Sequence, residues 1–443
     1  MKTNQPAIIN QLGGLLLLAL AMLTAPRAAA QTPSFATLYS FKGNADGAQP
    51  YGGVILGNGA LYGTTYFGGA NQCSGTDGTF GCGTVFELAP VAGGSWTKLT
   101  LHSFNGGDGS QPRADLVFAT TGALYGTTVN GGSGDHGGTV FELAPPSTAG
   151  TTWTETVLYS FPGGHSLQGA PWGAVVIGPS GSLYSTTSGG YGLNYGTVFK
   201  LSPPAAPGDV WTEVTLVAFL GQAGNPGTNP GAGVVFASGS LYGTTYLSGI
   251  GGYGTVYELA PPASKDGTWT ETTIHSFTGP PNDGAGSLAA LTAGPGGVLY
   301  GTTVFGGSGT ACSFSGPGCG TVFQLTPPTT PGGSWTETVI YSFTGVSGDG
   351  AGPNARLTLT KNGVLYGTTS AGGSSGIGAV FRLKPPAAPG GAWTETVLHS
   401  FTGQNGDGSI PLAGLAISPS GTLYGTTQLG GTSGFGTIFA IKP

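Results

Sequence analysis

Beyond an apolar stretch near its start, the chain places its hydrophobic residues in short bursts closed by Gly, Pro, Asn or Asp, and no segment there shows a helical period. Four kinds of burst recur in fixed order. A post-proline segment such as "PLAGLAI" (Pro411–Ile417) is followed by "LYGTT" (Leu423–Thr427) and "GTIFAI" (Gly436–Ile441), and in earlier copies by a segment such as "WTETVLYSF" (Trp153–Phe161). Each is rich in Val, Leu, Thr, Tyr and Phe and bounded by turn formers, the signature of a strand. The pairs "PSG" before the second segment and "GG" after it supply the positive-φ positions that tight turns need. Pro opens the first segment in six of seven copies, where a missing N–H does least harm.

The LY pair begins at positions 61, 124, 183, 241, 299, 365 and 423, so successive intervals are 63, 59, 58, 58, 66 and 58 residues. Seven four-stranded antiparallel units predict an all-β, seven-bladed β-propeller. A linear solenoid is the competing arrangement. The offset of the units favours the ring. The strand at 35–41 matches the last segment of a unit, and 411–442 supplies only the first three, so the N-terminal strand is expected to complete the final blade. The propeller then occupies residues 31–443 as one domain. The Leu, Tyr, Phe and Trp that recur in every copy read as packing between neighbouring blades, because each sheet has two faces to hide.

Composition supports this picture. Gly (88) and Pro (32) make up roughly 27% of the chain, a level that signals disorder when no period accompanies it. Charged residues are only 7%, and the net charge of −6 is spread without acidic or basic runs. No basic stripe suits a nucleic-acid partner. Residues 1–30 are expected to be a signal peptide, with Lys2, the apolar core Gly13–Ala25 and small residues at Ala28 and Ala30. An N-terminal membrane anchor is the alternative. The chain ends in "GTIFAIKP" without an apolar tail, so the processed protein is expected to be secreted or periplasmic, with no stable membrane insertion.

The repeated "GxLYGTTxxGG…GTVFxL" resembles the GloVer tandem-repeat ("choice-of-anchor") family of exported bacterial proteins, over nearly the whole processed chain. More distantly, the unit is similar to NHL and gluconolactonase-like propellers. The first resemblance implies an exported repeat protein and no particular reaction.

In such a blade the loops after LYGTT share one face with the connections from fourth strand to first strand, and residues that break the repeat there are the candidates for a site. Cys73 with Cys82, and Cys312 with Cys319, fall in that loop of the first and fifth blades, in the two longest units. Local disulfides are expected, in keeping with an oxidising compartment. No metal site is expected, and calcium has no support in ligand spacing. His102, His275 and His399 occupy a slot that holds Tyr39, Tyr159 and Tyr341 elsewhere and read as half-buried strand residues. The Asp-Gly pairs read as turn formers, with carboxylates too isolated for an ion cage. His136 and His165 have no counterparts in other copies. With Arg113, Asp115, Asp135 and Trp172 they mark a quarter of the top face at the second and third blades. Tyr51, Asn354 and Arg356 stand at other first-strand mouths near the central opening. Two motif matches carry nothing: Gly132–Gly137 fits G-x-G-x-x-G and Gly372–Gly376 fits G-x-S-x-G, but neither adjoins a helix.

No catalytic constellation accompanies this scaffold. The leading expectation is a non-catalytic exported propeller presenting its top loops to a glycan, an envelope component or a protein. The alternative is a propeller enzyme, a lactonase-like hydrolase or glycan lyase, using His136, His165, Asp115 and Arg113 at the second and third blades. Convergence of those side chains in one cleft would favour the enzyme.

Overall fold

The computed structural model describes the chain outside residues 3–31, 74–80, 134–136, 149–151, 164–168, 190–194, 207–208, 222–226, 265–266, 313–315, 331 and 389. Residues 1–30, read as a leader, lie almost wholly outside the described residues. No helix among the described residues is long and apolar enough to cross a membrane. Pro33–Pro443 forms one unit of seven antiparallel sheets, numbered here as blades 1 to 7 in chain order.

Blade 4 illustrates the plan. Its strands Val235–Ala237, Ser240–Thr245, Thr255–Ala260 and Thr270–Ser276 pair in sequence order, each antiparallel to the next. The first strands are short, only two residues in blades 2, 3, 5, 6 and 7. In blade 7, Ala416–Ile417, Leu423–Thr427 and Thr437–Lys442 are joined by the N-terminal strand Ser34–Ser40, which runs antiparallel to Thr437–Lys442 from Ser34 opposite Lys442 to Ser40 opposite Thr437. The circle is thereby closed by its own first strand.

Three rings of contacts explain why the repeat is written as it is. The Phe after each fourth strand meets the aromatic of the next blade's third strand edge-on, as in Phe104 with Phe141 and Phe277 with Phe323, both at 5.2 Å. Seven such pairs occur, at 5.0–5.4 Å, and Phe401–Phe439 and Phe41–Phe86 carry the series across the seam. Each of the six repeat Trp residues lies against the LY tyrosine of the blade before it, as Trp153 does with Tyr62 and Trp96 with Tyr424. These aromatics are inter-blade packing.

The two threonines of LYGTT have different partners. The first donates across the blade interface to a carbonyl of the next blade's first-strand segment, as in Thr186 to Ala232 O at 2.8 Å and, across the seam, Thr426 to Gly52 O at 2.9 Å. The same bond appears at all seven junctions. The second is fully buried and pairs with the Thr that opens the third strand, at 2.7–2.9 Å in six blades. The Gly before that third strand has a positive φ, +92° at Gly138, and a Cβ there would lie 2.8 Å from Cδ of Pro171, the proline opening the next blade. Gly and Pro are therefore coupled across the interface.

Both disulfides form locally, Cys73–Cys82 and Cys312–Cys319, with Cα separations of 5.2 and 5.4 Å. Cys82 and Cys319 are fully buried between blades. Two disulfides suggest an oxidising, extracellular compartment.

Candidate functional site

The connection from fourth strand to first strand and the loop after LYGTT meet on one face. Gly284–Ala285 pairs with Phe305–Gly306, and Gly408–Ser409 with Leu429–Gly430. From that face the seven first-strand segments converge on a central cavity of about 260 Å³. Its wall is rich in Gly and Ala at the positions nearest the axis, interspersed with Val, Leu and Ile, which lets seven backbones approach one another. Larger side chains enter at the position after the opening proline: Tyr51, Arg113, Trp172, Leu288, Asn354 and Leu412, with Gly231 in blade 4. Two positions further on, Asp115 and Arg356 are charged where the other blades carry Gly or Ala.

Tyr51, Arg113, Asp115, Trp172, Asn354 and Arg356 all line this cavity. Arg113 is held between neighbours: its guanidinium carbon lies 4.0 Å from the Trp172 ring centre and 5.5 Å from that of Tyr51. Such cation–π contacts suit a planar, weakly hydrated guanidinium. Burial lowers the Arg113 pKa, with Tyr51 and Tyr66 acting in the opposite direction; a guanidinium still stays charged at neutral pH. The Tyr51 hydroxyl accepts from Gln428 Nε2 at 2.6 Å, and its ring leans on Tyr66 at 4.7 Å. Asp115 is engaged with the neighbouring blade, where its Oδ1 accepts the Gly53 N–H at 2.6 Å. Asn354 Oδ1 is buried without a hydrogen-bond partner, and Arg356 is exposed. The mouth therefore carries two cations and one already committed carboxylate, in a chain whose net charge is −6. Arg113 and Asp115 line the same cavity with different partners, the Trp172 and Tyr51 rings for the first and the Gly53 N–H for the second. Asp135, His136 and His165 lie outside the described residues.

A second set of polar residues sits between blades, and the sequence reading missed it. The aspartates of the Asp-Gly pairs are not isolated. Asp108 accepts Asn105 N at 2.9 Å and meets His102 Nε2 at 3.1 Å; Asp407 accepts Thr402 N at 2.8 Å and meets His399 Nε2 at 3.2 Å. His102, His275 and His399 are half-buried in strands, each with 19% of its side chain exposed, and each faces such an aspartate. The next blade's fourth strand adds a third residue: Glu155 beside His102 and Asp108, and Glu337 beside His275 and Asp283. At the third His–Asp pair this place is taken by Phe35, whose ring stacks on His399 at 3.7 Å. At a fourth junction Lys98 pairs with Asp46 at 3.3 Å. The signal available in the sequence was the Glu of "WTET", which returns one period after His102 and His275.

Burial pushes the carboxyls of Glu155, Glu271, Glu337 and Glu395 up to about 7, with Asp349 adding to the effect at Glu395. A raised carboxyl pKa penalises the folded state when the group ionises. The penalty is absent below the unfolded value near 4.5 and grows as pH rises through about 7. Partial exposure screens it to about 1 kcal/mol for Glu395. Glu395→Gln is therefore expected to match the parent's stability at pH 4.5 and exceed it by about that amount at pH 8, in urea unfolding followed at both pH values. An equal gain at both would show that ionisation is not the cause.

The family model described as the Gloeobacter/Verrucomicrobia repeat matches residues 26–155, 138–329 and 309–443. No curated protein sequence matches the chain. Among solved structures, a Bacteroides uniformis protein described provisionally as a 6-phosphogluconolactonase is 15% identical, with a TM-score of 0.48, covering 82% of this chain and 87% of that one. A family PL25 ulvan lyase bound to -[GlcA(1-4)Rha3S]- is 8% identical, with a TM-score of 0.49 and 92% and 95% covered. Trypanosoma rangeli sialidase is 11% identical, with a TM-score of 0.39 and 93% and 58% covered. These likenesses say nothing of this chain's chemistry.

Proposed function

We propose that this chain, which belongs to the Gloeobacter/Verrucomicrobia repeat family, is an exported, non-catalytic propeller that binds an acidic saccharide unit at its central mouth. The observation that carries the reading is Arg113, fixed between Trp172 and Tyr51 with no ion pair to a carboxylate among the described residues. A guanidinium in that setting presents a flat, preorganised fork to a carboxylate or sulfate, and the Trp172 ring offers the apolar surface on which a sugar ring lies. Arg356 and Asn354 add further polar side chains from blade 6. At about 260 Å³ the cavity falls below the range of about 300–1,000 Å³ usual for drug-sized ligands, so it takes one terminal unit and leaves the rest of a chain on the surface. Among the described lining residues Asp115 is the one carboxylate and there is no histidine. The apolar run Gly13–Ala25 and the two disulfides support export.

Titration calorimetry with uronic-acid and neutral oligosaccharides tests this reading. Acidic sugars are expected to bind more tightly, and Arg113→Met is expected to weaken them about 10- to 100-fold, the loss of a charge-assisted hydrogen bond worth roughly 1.5–3 kcal/mol. Equal binding of both classes, or binding indifferent to Arg113→Met, would overturn it. Shortened oligosaccharide after incubation would establish the enzyme instead.

A further inference from the structure

We infer that the two inter-blade clusters His102–Asp108–Glu155 and His275–Asp283–Glu337 are divalent transition-metal sites that clasp blade 1 to blade 2 and blade 4 to blade 5. In each, one ligand atom from every residue lies within 4.8 Å of the other two. Ligand atoms about 2.0–2.2 Å from a tetrahedral zinc ion lie roughly 3.3–3.6 Å apart, close to the His–Asp separations of 3.1 and 3.3 Å here, and three protein ligands leave room for water in the shell.

Three further observations carry the inference. Glu155 Oε1 and Glu337 Oε1 are buried with no hydrogen-bond partner, so each cluster holds an acceptor that the protein itself does not satisfy. His275 Nε2 is buried too, and lies 3.3 Å from Asp283 Oδ2 without hydrogen-bond geometry, as a lone pair aimed at an ion would. Metal ligation takes imidazole neutral and both carboxylates ionised, a set of charge −2 that a divalent cation cancels. The other junctions lack this three-residue set: Glu271 and Glu395 also carry a buried, unpartnered Oε1, but Val217 and Tyr341 stand in the histidine slot there. Lys98 supplies the cation beside Asp46, and at His399–Asp407 an apolar ring, Phe35, fills the place of the glutamate.

The ligand set identifies the class of ion. Imidazole suits zinc, nickel, copper or iron, whereas calcium prefers six to eight oxygens. The carboxylates are oriented from behind, Asp108 by Asn105 N at 2.9 Å and Asp283 by Gly284 N at 2.6 Å, the kind of support that positions metal ligands. Since every ligand comes from the faces of two adjacent blades, the bound ion acts as a cross-link, and the sites are independent of the central mouth.

Calorimetric titration of the intact protein with Zn²⁺ after chelator treatment tests the inference, with total metal by mass spectrometry as a second readout. Two ions per chain are expected, not three. Glu155→Gln and Glu337→Gln are each expected to remove one site, weakening it at least 100-fold, and the double variant to remove both. Circular dichroism confirms that these variants fold, and the unaltered protein gives the primary measurement regardless. Failure of the parent to bind Zn²⁺, or retention of two ions by the double variant, would overturn the assignment and leave the glutamates as proton carriers only.

Discussion

Phe41→Ala is expected to lower the free energy of unfolding by about 3–5 kcal/mol, the usual loss when a buried Phe is truncated in a packed core. Phe41 is fully buried in a cluster that also contains Leu61, Phe86 and Ile438. It directly follows the N-terminal strand and meets Phe86 of blade 1 edge-on at 5.4 Å. Phe104→Ala, which removes the equivalent Phe104–Phe141 contact inside the ring, provides the comparison. Both single variants are expected to unfold cooperatively with similar losses. Removing the whole strand from Pro33 to Phe41 is different in kind. It bares the edge of Thr437–Lys442, strips Phe35 from His399, and leaves blade 7 unable to cover blade 1. The expected result is loss of a single sharp transition in guanidinium and concentration-dependent aggregation, since an unpaired edge is a template for other chains. A deletion variant that still unfolds in one transition at the parent's midpoint would refute closure by this strand.

Thr427→Val is expected to cost about 2–4 kcal/mol although it barely changes shape. The Thr427 hydroxyl donates to Leu429 O at 2.9 Å and accepts from Thr437 Oγ1 at 2.7 Å and from Thr437 N at 3.2 Å, all in a buried setting. Valine leaves the Leu429 carbonyl and the Thr437 hydroxyl without this partner, and each buried polar group so orphaned costs roughly 1–3 kcal/mol. The reverse change is expected to be mild. In blade 6 the partner position already holds Ala379, and Thr369 keeps its bond to Ala371 O at 3.0 Å. Thr437→Ala should accordingly lose only about 1 kcal/mol, because the remaining hydroxyl stays satisfied by its own loop. Urea midpoints of the two variants check the asymmetry. Equal losses would mean that side-chain volume, not hydroxyl pairing, governs this site.

The architecture was legible because it is carried by residues that recur within each copy. LYGTT could be counted, and the displaced first strand revealed the seam, since Phe35–Phe41 matches the close of a unit. The residues of the mouth were legible as departures from the repeat: Arg113, Trp172 and Tyr51 occupy a position where no single residue type prevails. That Arg113 lies between the other two follows from blade order, but the engagement of Asp115 by Gly53 depends on a backbone approach that no pattern encodes. The inter-blade clusters were hidden for a different reason. His102 and Asp108 are six residues apart, but Glu155 comes from the next copy, within a "WTET" that looks like an ordinary exposed strand start. Comparing copies one below another aligns like with like, and so conceals contacts between unlike positions of successive copies. The same habit made three histidines look like substitutes for tyrosine and nothing more.

The seam has a consequence for how such rings change size. Its two partners, Ser34–Ser40 and Thr437–Lys442, belong to the same chemical series as every other outer pair. Duplication or loss of one whole period elsewhere would leave both untouched, so the fastening is blind to the number of wedges it encloses. That number is set instead by taper. Glycines and alanines crowd the axis while tryptophans and tyrosines swell the circumference, and the difference in bulk between hub and rim fixes the angle at which one blade turns from the next.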